Sequence, residues 1–454
     1  MGTLRPLNGI SNLVPQLPRQ AWAVLGGHAV SAVGSGLTLP FLLVYFHAVR
    51  GIDLGVAGLA VAAIAVASLL GNPLGGWLAD RIGARSTVIA GLMVSAAAAV
   101  GVASVADPWH AFAAAGLVGL GAAVTWPAED ALLATVVRPE QRSAAFSVRF
   151  ATMNAGFGIG GLIAAAIVDI DAPGTFTFIY LADGASFLLF IPVLLALVPD
   201  VRGAGAPAGD GRPSAGGFRQ VLRDRLFLGV WAVTALVVTM SYGQYHSSFP
   251  AYATGPGGIS ARALSLAFAA NTLTVVLAQL IVLRLMAGRR RTRAIMLACA
   301  LWALTWAITI VAGEVTAGAA AAVTFALAMV LFALGETLFS PTIPAIVNDL
   351  ASDELRGRYN GTYTLAWTTG FMVGPAVAGF TLRAGLGSLL FTVLIVGCVL
   401  TALAARVLER YIPAEANLVA RASPVPAEAH VSAPLEPTGK AVPAATPPPR
   451  TEQL

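Results

Sequence analysis

The chain has 454 residues, of which 57% are hydrophobic and only 11% charged, with a mean hydropathy of +0.79. About a quarter of a soluble domain is charged, so a water-soluble protein is excluded and an all-α polytopic membrane protein is expected. The net charge of +5 needs no nucleic acid: with a cytoplasmic N-terminus, 24 of the 27 Lys and Arg fall in inner loops, inner helix ends or the tail, leaving Arg50, Arg262 and Arg383 outside. That asymmetry is the positive-inside rule and predicts an even number of spans with both termini cytoplasmic.

Residues 1–20 carry Pro6, Pro15 and Pro18 and lack the apolar core and small-residue cleavage site of a removable signal, so a cytoplasmic N-terminal segment is expected. Twelve apolar stretches follow, each long enough to cross a bilayer core, near 21–47, 54–79, 86–105, 111–136, 144–168, 175–198, 226–252, 261–286, 293–312, 317–347, 359–382 and 387–408. Six lie in a bundle over 21–199 and six in a bundle over 226–409.

His28 stands in the first span as a cavity candidate, although a lone histidine in a bundle is more often simply packed. The second span runs into "GGWLADRIGARS", residues 75–86. Basic residues there stop a helix in the headgroups, but they give no reason for Asp80 or for the glycine spacing. Gly76 permits close helix approach, Asp80 can accept from the N-terminus of a neighbouring helix, and Gly83 permits a tight turn. Together with Arg81 and Arg85 the set reads as a conformational latch.

The fourth and fifth spans form a hairpin turning at Pro139 and Glu140, which places Asp130 and Arg149 at one depth and predicts a buried salt bridge. It is either a structural tie or part of the working site. Glu129 lies about 100° around the helix from Asp130, so the two are expected to face different neighbours. Glu129 is a cavity or proton-coupling candidate, the alternative being a hydrogen bond to an adjacent helix. Trp126 is a weaker cavity candidate. Gly156 and Gly160 are read as helix-packing glycines of the fifth span.

Residues 200–225 form a cytoplasmic linker, Gly/Pro/Ala-rich over 200–217. It ends in "FRQVLRDRLF", expected as a short basic amphipathic helix with Phe218, Val221 and Leu222 on one face. The seventh span gathers Tyr242, Gln244, Tyr245 and His246 in "MSYGQYHSSFP", either lining a cavity or anchoring the helix at the interface. Glu336 is the one acid within the tenth span, and Gly370, Gly374, Pro375 and Gly379 mark the eleventh. Cys299 and Cys398 fall inside spans and indicate packing, neither disulfide nor metal. The tail over 410–454, with nine prolines from Ile412 onward, is expected to be disordered.

The two halves repeat. A shift of 214 residues lays 119–165 on 333–379 with ten of 47 positions identical, among them Pro127/Pro341, Glu140/Glu354, Arg142/Arg356, Gly156/Gly370 and Gly160/Gly374. Repeats of this kind around a midplane cavity build many secondary transporters. Glu336 corresponds to Ala122, seven residues before Glu129 and on its helical face, so both acids become candidates for cavity carboxylates.

The stretch at 75–86 resembles the signature of the major facilitator superfamily, G-x-x-x-D-R-x-G-R-[RK], matched by Gly76, Asp80, Arg81, Gly83 and Arg85 with Ala84 in place of one basic residue. The resemblance spans about residues 20–410 and implies that family's twelve-helix fold in two pseudo-symmetric bundles. It implies a latch bracing the N-terminal bundle against span eleven near Gly357–Gly361 in the outward-facing state, with Arg85 within reach of Glu140. The second-half counterpart "LRLMAGRRRTR" keeps Gly288 and the basic cluster but has Leu285 where the acid would stand. "GPAVAG" in span eleven resembles the antiporter element that drug exporters carry in span five, where this chain has Gly161 instead of proline. The arginine that proton-linked drug exporters keep in span four aligns with Ala115.

No G-x-x-x-x-G-K-[ST] and no H-E-x-x-H occur, so ATP-driven transport and metalloenzyme chemistry are unsupported, and neither enzyme activity nor a cofactor or metal is expected. The expected function is secondary transport of a small, amphipathic organic molecule across the cell membrane, as a monomeric proton-coupled exporter resembling twelve-span drug:proton antiporters. The alternatives are an importer or facilitator of a small nutrient, or a non-transporting receptor or scaffold.

Overall fold

The computed structural model describes residues 17–138, 141–199, 217–352 and 355–419, without the side chains of a few helix residues, Asp80 among them. Among the described residues twelve helices are long and apolar enough to cross a membrane. Spans one to six are Arg19–Val49, Leu54–Ala79, Ala84–Ala103, Pro108–Val136, Ala145–Ile167 and Pro173–Leu197. Spans seven to twelve are Arg225–Thr254, Ala261–Gln279, Arg291–Glu314, Gly318–Leu350, Arg358–Arg383 and Gly387–Leu408. Helix starts are set locally. Asp53 accepts from the amides of Gly55 and Val56, Asp107 from His110, and Asp224 from Leu226 and Phe227, each satisfying donors that a helix leaves free at its N-terminus.

The packing repeats as the sequence does. Span one packs on five and six, span four on two and three, and span three on six; adding six to every number gives the pairings of the second bundle. The repeated glycines occupy matching places. A Cβ on Gly156 would press on Ala32 and Val33 of span one, and one on Gly160 on the backbone of Val33 and Gly36. Gly370 and Gly374 meet Val238, Thr239 and Gly243 of span seven in the same way. Small residues let these helices approach backbone to backbone, the main attraction between helices in lipid.

The bundles meet through span two on eleven and span five on eight. Near the start of span two, a Cβ on Gly58 would overlap the Pro375 carbonyl and lie 2.9 Å from Gly379 Cα, and Arg383 Nε stands 3.0 Å from Asp53. Farther along the same two helices, Asn72 and Thr364 face a common cavity. The protein is therefore closed at the end opposite the 200–216 linker and parted towards the linker end.

Three expectations change. Span seven is not one helix: Arg225–Met240 stops at Ser241 (φ −120°, ψ −82°), and short helices Tyr242–Tyr245 and Ser248–Thr254 follow. The linker's amphipathic helix shrinks to Gly217–Val221, with Val221 buried and Leu222 exposed, because Asp224 already caps the start of span seven. The tail expected to be disordered from 410 is ordered to Val419. Leu418 bridges Arg290, Gly288 N donates to Val419 O, and Asn417 accepts from Thr292 N at 3.0 Å. Residues 420–454 lie outside the described part of the chain.

Candidate functional site: a cavity between the bundles

A cavity of about 590 Å³ lies between the two bundles, within the range of sites that enclose drug-sized ligands. Spans one to six supply most of its wall, including Ser31 and Ser35 of span one; span seven adds His246, and span eleven Thr364, Trp367 and Phe371. The wall is chiefly apolar and aromatic. No Lys or Arg is among its residues, and its carboxylates are Glu129 and Asp183.

Glu129 is held by two partners. His28 Nδ1 lies 2.8 Å and Arg149 Nε 3.5 Å from the same carboxylate oxygen, while Arg149 Nη1 reaches Asp130 at 3.0 Å. The hairpin register thus joins Asp130 to Arg149. The expectation that Glu129 and Asp130 face different neighbours fails, because the guanidinium presents donors in a fork wide enough to serve both sides of the helix. Glu129 and His28 are buried while the Asp130 side chain is 45% exposed. His28 Nε2 has no hydrogen-bond partner among the described residues.

Of the remaining candidates, Trp126 and His246 line the cavity, whereas Tyr242, Gln244, Tyr245 and Glu336 are not among its residues. Gln244 repairs the break in span seven instead: its Nε2 donates to Thr239 O and its Oε1 accepts from Ser248 Oγ at 2.7 Å. Irregular backbone at membrane depth needs such local satisfaction. Tyr242 packs against Trp302, Phe332 and Trp367, and Tyr245 stacks on Phe332 at 4.9 Å. Glu336 is half-buried close to Tyr242, Tyr245 and Asn271 of span eight. Asn271 accepts from Tyr245 Oη at 3.3 Å. Ala122, the counterpart of Glu336 in the repeat, does reach the wall, so the bulky aromatics of the second bundle make the cavity lopsided.

At 75–86 the helix ends at Ile82 and turns at Gly83, whose φ of +91° suits glycine alone. Arg85 Nη1 donates to Val198 O at 2.8 Å, tying the turn to the end of span six, and Arg81 lies over the Trp77 ring. Close approach is made by Gly75, where a Cβ would lie 2.9 Å from Val124 Cα; at Gly76, and at Gly361 of span eleven, it would meet nothing within 4 Å. Gly76 thus makes no close approach in this arrangement, in which this end of the molecule is the parted one. The Asp80 side chain and Glu140 lie outside the described residues.

Sequence reasoning missed Asp183, the one charged residue in Pro173–Leu197. The rule that singled out Glu336, an ionisable group at membrane depth, would have found it. Asp183 is buried against span one and accepts from Thr38 Oγ1 at 2.8 Å.

Twelve helices in two matching bundles around a shared cavity are the build of a polytopic membrane transporter. Comparison with known proteins gives the family: a model of the major facilitator superfamily matches residues 24–312 and 257–445, and the chain belongs to that superfamily. It is 26% identical over 388 residues to the uncharacterized MFS-type transporter YttB of Bacillus subtilis (strain 168), covering 84% of this chain and 94% of that protein. It is 32% identical over 198 residues to the multidrug resistance protein MdtH of Edwardsiella ictaluri (strain 93-146), covering 42% of this chain and 47% of MdtH. Among solved structures, the nucleoside transporter NupG superposes with a TM-score of 0.71 at 14% identity, over 87% of this chain and 100% of that one. A POT family transporter in complex with a thioalcohol conjugated peptide gives 0.71 at 15% identity, over 87% of this chain and 97% of that one.

Proposed function

We propose that this major facilitator superfamily protein is a proton-coupled exporter of small amphipathic organic molecules in the cytoplasmic membrane, acting as a monomer with both termini cytoplasmic. The observation that carries the proposal is the cavity of about 590 Å³, walled by Trp, Phe and Tyr and parted towards the linker end. That end carries the basic loops, which are cytoplasmic by the positive-inside rule. An aromatic wall without Lys or Arg binds amphipathic molecules better than phosphates, whose oxygens would lose water without a cation in its place. The partial likeness to a multidrug resistance protein supports the same direction.

Glu336 is the proposed proton carrier and Glu129, Asp130, Arg149 and His28 the charge network of the first bundle. Gly76, Asp80, Arg81, Gly83, Arg85 and Glu140 form the proposed latch. The test is flux in proteoliposomes with an imposed pH difference. Inside-out vesicles, acidified within, should accumulate an amphipathic dye, and collapsing the gradient should stop accumulation. Accumulation indifferent to the gradient would refute coupling, and gradient-driven movement towards the cytoplasmic face would make the protein an importer.

A further inference from the structure

We propose that Asp183 is the recognition site for the positive charge of a lipophilic organic cation. The proposal rests on the cavity being the transport site and names the class of substrate it takes.

The charge balance of the wall leads to Asp183. Of the two carboxylate residues in the cavity wall, Glu129 already has His28 and Arg149 against it. Asp183 has no cation against it among the described residues. Its Oδ2 accepts from Thr38 Oγ1, and its Oδ1 is buried without a hydrogen-bond partner among the described residues. The residue is 93% buried, being 7% exposed. Taking a carboxylate out of water with one neutral hydroxyl for company is unfavourable unless a proton or a cation joins it. No Lys or Arg belongs to the wall, so the positive charge that an ionised Asp183 calls for is left for a ligand to bring.

The surroundings select the kind of cation. Tyr180 and Phe187 stand three residues before and four residues after Asp183 on span six, on one helical face, and all three line the cavity. A carboxylate between two aromatic rings suits a bulky, weakly hydrated cation, which gains from ring faces and gives up little hydration. Asp183 Oδ1 lies against Gly34 of span one, where a Cβ would stand 2.5 Å from it, so only glycine there accommodates the carboxylate. Trp367 and Phe371 of span eleven also line the cavity, so a ligand that fills it touches both bundles.

The probe is tetraphenylphosphonium, with neutral triphenylphosphine oxide as the uncharged comparison, both measured by equilibrium dialysis on the purified full chain in detergent. The intact chain should bind both. Asp183→Asn should weaken the cation by about 30-fold or more, about 2 kcal/mol, and the neutral compound by less than about threefold. Asp183→Glu should recover part of the cation binding, and thermal melting should confirm that each variant is folded. An Asp183→Asn protein that binds the cation within about threefold of the intact chain overturns the proposal. So does a folded variant that loses both compounds equally, or an intact chain that ignores the cation. Asp183-dependent binding in a chain that exports nothing sustains the site and overturns the export function instead.

Discussion

Arg149 answers for two carboxylates, and that changes what its removal does. A simple pair with Asp130 would be restored by neutralising both members. Here Arg149→Met strips a cation from Glu129, which is buried, as well as from Asp130, whose side chain is 45% exposed. Removing one partner of a buried pair costs about 3–5 kcal/mol, so Arg149→Met is expected to lower the melting temperature in detergent sharply. Asp130→Asn alone should cost far less, because water already screens that side. The double variant should stay unstable, and only the further change Glu129→Gln should restore the melt. Recovery with Asp130→Asn alone would show that Glu129 does not depend on Arg149. Glu336, which is not among the residues of the cavity wall, makes a separate prediction: Glu336→Gln should abolish accumulation against a gradient while downhill exchange continues. If uphill transport survives with an unchanged pH profile, the proton carrier lies elsewhere, Glu129 being the next to test.

Helices and their turns were largely legible in the sequence because one local rule governs each. Apolar runs of membrane length gave twelve spans, glycine after a charged pair gave the Gly83 turn, and the shifted repeat gave matching glycine seats in spans five and eleven. What escaped depended on partners distant in sequence. Leu285 left the basic cluster of the second half without an acid in its own motif, and the structure supplies one from the end of span twelve. Glu409 accepts from Arg290 Nη1 at 2.6 Å and from Arg406 Nη1 at 3.0 Å, with Arg293 at 3.9 Å. The segment that follows is thereby folded back onto the 288–292 loop, which a composition rich in proline could not disclose. Burial opposes the charge on Glu409, but the hydrogen bond from Arg290 and the attraction of Arg406, Arg290 and Arg293 outweigh it and hold its pKa below the usual 4.5. A carboxylate whose pKa is lowered by folding stabilises the fold above its unfolded pKa and ceases to as pH falls through the lower folded value. Hydrogen exchange at Leu418 and Val419 should therefore be slow above about pH 5 and should quicken, against the intrinsic acid trend, as pH drops below 4.5. In Glu409→Gln it should be fast at every pH. Exchange equally slow in that variant would show that the bridge to Arg290 holds the segment by itself.

For the molecule as a whole, transport by alternating access requires the closed end to open and the parted end to close, so each contact across the bundles favours one conformation. Gly58 and Gly379 admit the close approach of spans two and eleven at the closed end, and Asp53 and Arg383 add a charge pair at 3.0 Å beside it. Gly58→Leu should leave a folded protein that cannot adopt this arrangement, because the side chain would occupy the place of the Pro375 carbonyl. The charge pair is exposed and is worth about 0.2–1 kcal/mol, so Arg383→Gln should shift the conformational ratio by at most about fivefold, away from the closure seen here. Asp80→Asn should shift it the other way if Asp80 braces the linker end when that end closes. It should also cut transport severely while leaving insertion intact, since the lost interaction belongs to one conformation and not to the fold. Spin labels on Gly76 and Gly361, which have open space around them in this state, read the ratio directly as the population of long and short distances. Arg383→Gln should enrich the short population, Asp80→Asn the long one, and the double variant should return towards the intact chain because the two sites bias one equilibrium from opposite ends. Normal turnover and an unmoved distance distribution in a well-expressed Asp80→Asn protein would remove Asp80 from the latch. A double variant matching Asp80→Asn alone would mean that the outer charge pair has no hold on the transition.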